Sequence, residues 1–543
     1  MLANVTALQP NEAATYQKLL NLYGSVPGNS GASALTNTTA CNSLSLPGFD
    51  PATQPCALQF RSNPSALASE WILAGRVDHR FSDNDQAYFR YKQDRGTQPS
   101  AIDPVNSNFD AISKQPSWDT QLDETHILGP RATNSFMATL SYYRAQFTQD
   151  TALDLSTFPY GILTSGSVPF TGFNGIYEFP QGRNITQYQF IDDFSYTFGS
   201  HTLKFGENFR RYDVSDHNFS FNGPGVYFGY VESGLQEFAD GLAYQYRESA
   251  NQTNDVPIAL WGLGMYAQDE WRVRPNFKLT IALRGEHNSN PVCQTDCFSE
   301  FKAPFASLAS TVAGNGNVPY SADIATGLHY AYPGVDRIDW SPRLGFSYSP
   351  GKSGKTIISG GAGLFYDNVA AGLVDTLLSN PPSSVAIRVR PAGGVLPFDP
   401  AGGAATFRAS AQAFNMNESF NQISSTLQGL GSIFEAPSFN YFNGTLHSPV
   451  YQEWNLQIQR DLGGSYALIL AYNGNHGIKI PYSNTWGNAY DPEAYGLPGA
   501  LFPTVGAIAQ GAPPNPSYGT VSEVQSGAVS NYNGCLLYTS RCV

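Results

Sequence analysis

Ser349–Thr356 (SPGKSGKT) comes within one residue of the phosphate-binding pattern G-x-x-x-x-G-K-[ST]. Such a loop holds phosphate through backbone N–H groups freed by its glycines, through its lysine, and through the N-terminus of the helix that follows. Here Ser349 replaces the first glycine and the residues after Thr356 alternate like a strand, so the stretch reads as a Gly/Lys hairpin turn. Adjacent carboxylates at Asp192–Asp193 and Asp269–Glu270 would suit general acid–base chemistry if both met one substrate. On a strand, neighbours point to opposite faces and cannot do so. The eight histidines are scattered with no H-E-x-x-H set, and no G-x-S-x-G elbow occurs. The expectation is a chain with no catalytic residue, no cofactor and no metal site, hence not an enzyme.

Sulfur is more telling. Cys41 and Cys56, and Cys293 and Cys297, lie in polar sequence rich in Gly, Pro and Asn. Two local disulfides in an oxidising compartment are the natural reading. A zinc site built from all four is the alternative, although the first pair is spaced too widely for a knuckle. Aromatic residues in the long connections (Tyr320, Tyr330, Tyr332, Tyr441, Trp486, Tyr490) offer stacking faces to a sugar or peptide. Ordinary packing of large loops explains any one of them equally simply.

The elements that must position these residues follow a repeating plan. Six tight turns, at Ser82–Asp85, Gly129–Asn134, Phe198–His201, Arg274–Asn276, Gly351–Lys355 and Leu462–Ser465, each lie between two alternating segments. The connections between units are far longer, as in His287–Arg337 and Asp367–His447. Lys278–Glu286 places Leu279, Ile281 and Leu283 on one face and Thr280, Ala282, Arg284 and Glu286 on the other. Trp454–Arg460 behaves likewise, with Trp454, Leu456 and Ile458 opposing Asn455, Gln457 and Gln459. Segments of nine or more residues suit a tilted strand crossing a bilayer, whereas soluble strands average about five or six. Phe81, Phe198 and Trp271 recur close to the short turns, where an aromatic girdle would meet the membrane surface. About thirteen strands are expected, roughly at 71–81, 86–95, 118–128, 135–148, 185–198, 202–214, 219–230, 259–273, 278–288, 340–349, 356–367, 450–461 and 466–479. A fourteenth begins near Ser530. The glycines of Ser359–Gly363 would mark bends, or places where another element packs close to the wall.

Composition agrees. Of 543 residues only 13% are charged, while Tyr (31), Phe (34) and Gly (52) abound. A soluble chain of this size would need about twice that charge to cover its surface. No run of about 18 apolar residues exists, which excludes helical spans. A net charge of −13 argues against nucleic acid and anionic membrane surfaces as partners. It leaves two readings, cation attraction or simple loop solubility.

Several stretches carry a family resemblance. Val77–Asp85 (VDHRFSDND), Thr202–Tyr212 (TLKFGENFRRY), Tyr266–Glu286, Ser341–Asp367 and Tyr451–Gly477 resemble, in order, the barrel of TonB-dependent outer-membrane receptors. They are most similar to the Oar-like branch. The resemblance spans roughly residues 70–534. It implies an all-β fold, a transmembrane antiparallel up-and-down β-barrel with short periplasmic turns and long extracellular loops. It also implies residence in the cell outer membrane, contact with its lipid, an unidentified extracellular ligand, and coupling of the full-length protein to the TonB complex. Such barrels have about 22 strands, so 13–14 would be an incomplete set. Met1–Glu70 reads as an extracellular-loop-like segment rather than a plug.

The ends read differently. LANVTALQPNEAATYQ after Met1 has neither a basic start nor an apolar core, so no secretory signal is visible and the expectation is a fragment. Its two edge strands would leave it unable to transport and prone to aggregate. Cys535–Val543 (CLLYTSRCV) breaks the strand pattern. It reverse-translates into the inverted ends of a sequencing-library transposon, which reads as an adapter translation artefact checkable in the DNA. The functional expectation is a nutrient receptor and transporter, for carbohydrate or peptide. A passive porin or adhesion barrel and a soluble secreted all-β binding protein are the alternatives.

Overall fold

The computed structural model describes residues 1–149, 158–164, 170–173, 178–217, 223–229, 234–251, 255–303, 321–322, 324–351, 353–368, 371–389, 396–397, 417, 434–435, 439–442, 444–484 and 521–526. Twelve long strands dominate it: β1 (Ser69–Ser82), β2 (Asp85–Ala101), β3 (Ser117–Gly129), β4 (Ala132–Gln149), β5 (Gln181–Phe198) and β6 (His201–His217). They continue with β7 (Val256–Arg274), β8 (Phe277–Asn288), β9 (Asp339–Tyr348), β10 (Thr356–Tyr366), β11 (Val450–Gly463) and β12 (Tyr466–Ile478). Each pairs antiparallel with its neighbour in sequence, forming one up-and-down sheet from β1 to β12. Short pieces at Ala111–Lys114 and Val292–Cys293 extend it. No helix among the described residues is long and apolar enough to cross a membrane.

All six expected turns lie at hairpin tips. Ser82 pairs with Asp85, Gly129 with Ala132, Phe198 with His201, and Gly463 with Tyr466. Gly464 and Ser465 both hold positive φ (61° and 72°), which a type I′ turn requires to match the strand twist. Strands up to 19 residues long exceed the 9–11 or so needed to cross lipid, so their far ends continue beyond it.

One expected strand is absent from this sheet. In 219–230 the structure describes a strand only at Gly225–Phe228, parallel to Gly161–Thr164 in a separate five-stranded sheet. β6 instead pairs directly with β7, through Asp216↔Val256. The reason is parity: a single crossing between β6 and β7 would send every later short turn to the opposite end. The segment's Gly-Pro-Gly interruption also suits a short strand better than a long one. The fourteenth strand near Ser530 and the tail 535–543 lie outside the described residues.

The sheet has two unlike faces. Outward go Leu203, Phe205 and Phe209 of β6, Leu263 and Met265 of β7, and Leu279, Ile281 and Leu283 of β8, aligned by register. Their exposure is what lipid demands and water would penalise: Ile281 is 50% and Met265 52% exposed. Aromatic residues bound this band at two levels. Phe198 and Trp271 sit beside the turns, and Tyr188 and Trp261 stand ten positions farther along β5 and β7. Ten residues of strand tilted by about 40° rise roughly 25 Å, the height of an outer-membrane apolar band. Within the Gly-rich stretch, Gly360 lets the Phe346 ring lie on the backbone; a Cβ there would meet that ring at 3.0 Å.

The long connections gather at the other end. Helices α1 (Leu2–Leu8), α2 (Ala13–Gly24) and α3 (Gly234–Asp240) bury Val5, Tyr16, Leu19 and Phe238 with Phe158, Phe228 and Tyr246 in one apolar cluster. A second cluster joins helix α4 (Ala371–Leu378) to the sheet, packing Val374 and Leu377 with Val256, Ile258 and Leu446. Cys41 is bonded to Cys56, and Cys293 to Cys297, both within this loop-end assembly.

Candidate ligand pocket on the inner face

The inner face carries the side chains opposite to the apolar band. On β6 these are the even positions Asn208, Arg210, Tyr212, Val214 and Asp216, and on β7 Ile258, Leu260, Gly262 and Gly264. Arg284 and Glu286 follow on β8. All of these but Gly264 wall a cavity of about 420 Å³, roofed by Val374 and Asp375 of α4 and by Val335 and Leu446.

The floor is shaped by two glycines. Gly262 faces Arg210 across β6 and Asn288 across β8, while Gly264 faces Asn208 and Glu286. The Arg284 guanidinium lies over Gly264, where a Cβ would collide with its Nη2. Its Nε donates to Glu286 Oε2 at 2.9 Å. Gln189 Nε2 donates to Asn208 Oδ1 at 3.2 Å, which leaves the Asn208 amide donors on the cavity side. Among the described residues Arg210 has no hydrogen-bond or ion-pair partner.

The roof is acidic. Arg183 Nη2 donates to Asp375 Oδ2 at 2.7 Å, tying α4 to β5, and Arg183 Nε stands 3.7 Å from Asp216 Oδ1. Asp216 is 3% exposed, and its Oδ1 accepts no hydrogen bond. Nearby, His447 Nδ1 lies 2.8 Å from Asp336 Oδ1, and Ser448 Oγ donates to Asp339 Oδ2 at 2.6 Å. Between floor and roof the walls are apolar: Ile185, Val214, Ile258 and Leu260.

The residues singled out from sequence are dispersed. Asp192 and Asp193 do face opposite ways: Asn134 Nδ2 donates to the first at 2.7 Å, and the Tyr266 hydroxyl to the second at 2.7 Å. Asp269 pairs with His201 on the outer face at 2.7 Å, whereas Glu270 binds Lys204 (2.8 Å) and Lys278 on the inner one. Ser349 Oγ donates to Thr356 O at 3.1 Å within the β9–β10 turn, so the lysine-rich stretch closes a hairpin. Tyr332 and Tyr441 are buried against Phe442 and Phe301 as packing, while Tyr330 stays exposed. Tyr320, Trp486 and Tyr490 lie outside the described residues.

One titratable cluster escaped the sequence reading. Asp85, Glu124 and His126 bring ligand-type atoms within 4.8 Å of one another on the outer face beside a turn. His126 Nδ1 stands 3.7 Å from Asp85 and 3.9 Å from Glu124, ion-pair separations. Their spacing gave no signal, because Asp85 and His126 meet only through the β2–β3 register.

The sequence profile of a family described as outer membrane beta barrel domain matches residues 3–541. Among solved structures the chain is similar to the outer membrane transporter YddB from Escherichia coli, with 11% identity and a TM-score of 0.43, over 85% of this chain and 44% of that one. It is also similar to the siderophore receptor PirA from Pseudomonas aeruginosa, with 10% identity and a TM-score of 0.40, over 85% of this chain and 51% of that one. The FrpB iron transporter from Neisseria meningitidis (F5-1 variant) shares 11% identity at a TM-score of 0.40, over 81% of this chain and 49% of that one. The chain thus spans about half the length of these structures. No curated protein matches it.

Proposed function

The chain belongs to the outer membrane β-barrel family and resides in the outer membrane, and from that premise we propose that it serves in a TonB-dependent receptor that takes up a nutrient. The observation that carries this reading is the cavity at the loop end of the inner face, lined by charged side chains and roofed by α4. A passive pore needs an open, water-filled lumen. Here α4 instead packs over the loop end of the sheet's inner face, burying Val374 and Leu377 with Val256 and Ile258. That favours capture of a ligand over free diffusion. On this reading the short turns face the periplasm, the disulfide-bearing loops face the medium, and the ligand is a carbohydrate or a peptide.

The test is nutrient depletion by cells with and without the gene, with the medium followed by mass spectrometry. Loss of uptake of one nutrient class, abolished equally when the proton-motive force is dissipated, is the expected result. Uptake that survives dissipation would identify a passive pore, and unchanged depletion would remove the receptor reading altogether.

A further inference from the structure

We propose that the inner-face cavity binds a short zwitterionic peptide, its C-terminal carboxylate on Arg210 and Arg284 and its N-terminal ammonium at Asp216 and Asp375. This rests on the reading of the cavity as a receptor's ligand site and narrows that ligand to one class. The floor has two guanidiniums against one carboxylate, Glu286, and among the described residues Arg210 is unpaired. The surplus is a single positive charge, which suits a carboxylate better than a doubly charged phosphate. With no Cβ at Gly264, the Arg284 guanidinium lies against the wall beside Arg210's strand neighbour Gly262, which brings the two arginines to one part of the floor. Guanidinium–carboxylate bonds of this kind are among the stronger hydrogen bonds available.

The roof is the converse, two carboxylates sharing the one guanidinium of Arg183. Asp216 lines the cavity, is almost wholly withdrawn from water, and has an Oδ1 without a hydrogen-bond donor. One guanidinium cannot neutralise two ionised carboxylates, and a bound ammonium supplies the second positive charge. Arg210 and Asp216 are six residues apart on one face of β6, roughly 20 Å of strand. With the arginine side chain reaching along the wall, the gap matches an extended peptide of about four residues at 3.3–3.6 Å each. The apolar walls between the two ends take its middle side chains, and 420 Å³ is within the range for a ligand of that size. A neutral sugar would leave both charged ends unanswered.

The experiment is calorimetric titration of the detergent-extracted chain with alanyl-leucyl-leucyl-alanine in four forms: free, N-acetylated, C-amidated and doubly blocked. The free peptide should bind most tightly, and each block should weaken it about tenfold or more. Arg210→Met should shrink the penalty for amidation and leave that for acetylation unchanged; Asp216→Asn should do the reverse. Equal affinity for all four forms, or no binding of any at millimolar concentration, overturns the proposal. Peptide binding without nutrient uptake would sink the receptor reading alone. Uptake of a non-peptide nutrient without peptide binding would sink this inference alone.

Discussion

The loop end and the strand band of this molecule obey opposite rules. At the loop end, Val5, Tyr16, Phe158, Phe228 and Tyr246 are wholly or almost wholly buried, as in a soluble domain. In the band, Leu283, Ile281, Leu344 and Leu456 stand 45–53% exposed on the outer face, and the charged side chains Lys204, Glu270, Arg284 and Glu286 turn inward. The difference teaches that one chain meets two solvents. Water drives the loop-end residues together through apolar burial, while the band's order comes from backbone pairing that lipid makes obligatory. The inner-face cavity sits where the two regimes meet, under α4.

The sharpest way to break that contrast is to damage one regime and leave the other intact. Phe228 packs between Phe170 and Phe238, with ring centroids 5.6 and 5.7 Å away. Phe228→Ala should destabilise the loop-end assembly by about 3–5 kcal/mol. Limited proteolysis would report it as new cleavage in the loops, with the heat-modifiable migration of the sheet unchanged. Loss of both together would show that loops and band fold as one unit.

A smaller effect probes the band. Phe205 is 45% exposed on the outer face of β6, opposite Phe194 and Ala267. Phe205→Arg should cost roughly 2–4 kcal/mol in a bilayer. Lys204→Arg, one residue away on the inner face, should be nearly neutral. Urea titration in liposomes distinguishes them, and equal effects would mean that both faces meet water.

How much of this was legible in the sequence differs between the regimes. Alternation such as Leu279, Ile281 and Leu283 against Thr280, Ala282 and Arg284 fixed strand, face and turn, because lipid on one side leaves a strict period of two. The same alternation misled at 219–230, where apolar residues serve a loop cluster instead; Val226 and Phe228 are fully buried there. The cavity itself was half visible. Arg284 and Glu286 already stood on the polar face of their segment, but Asp375 comes from a connection whose path over β5 and β6 no local pattern encodes. Nor does any spacing announce that Arg183, Asp216 and Asp375 converge from three elements.

The gentlest probe of the contrast is pH, acting on a carboxyl of the loop end. Glu300 lies in the short strand Phe298–Phe301, where its oxygens accept the Phe442 backbone N–H at 3.2 and 3.4 Å. Withdrawal from water raises its pKa to about 8, against the lowering effect of the N–H bonds from Phe442 and Phe301. The folded form therefore holds its proton more tightly than the unfolded chain, whose ordinary value is 4.5. The resulting stability is complete below about 4.5 and declines as pH climbs, by at most about 1.4 kcal/mol per pH unit, until it is gone above about 8. Hydrogen exchange at Phe298–Phe301 and its partner strand Ile324–Leu328 should quicken beyond the intrinsic pH effect between pH 6 and 8. Glu300→Gln keeps an acceptor for Phe442 and removes the titration, so its exchange should follow the intrinsic rate alone. Band amides of β7 and β8 should show no such excess in either protein; an excess there would mean that the two regimes share a single opening.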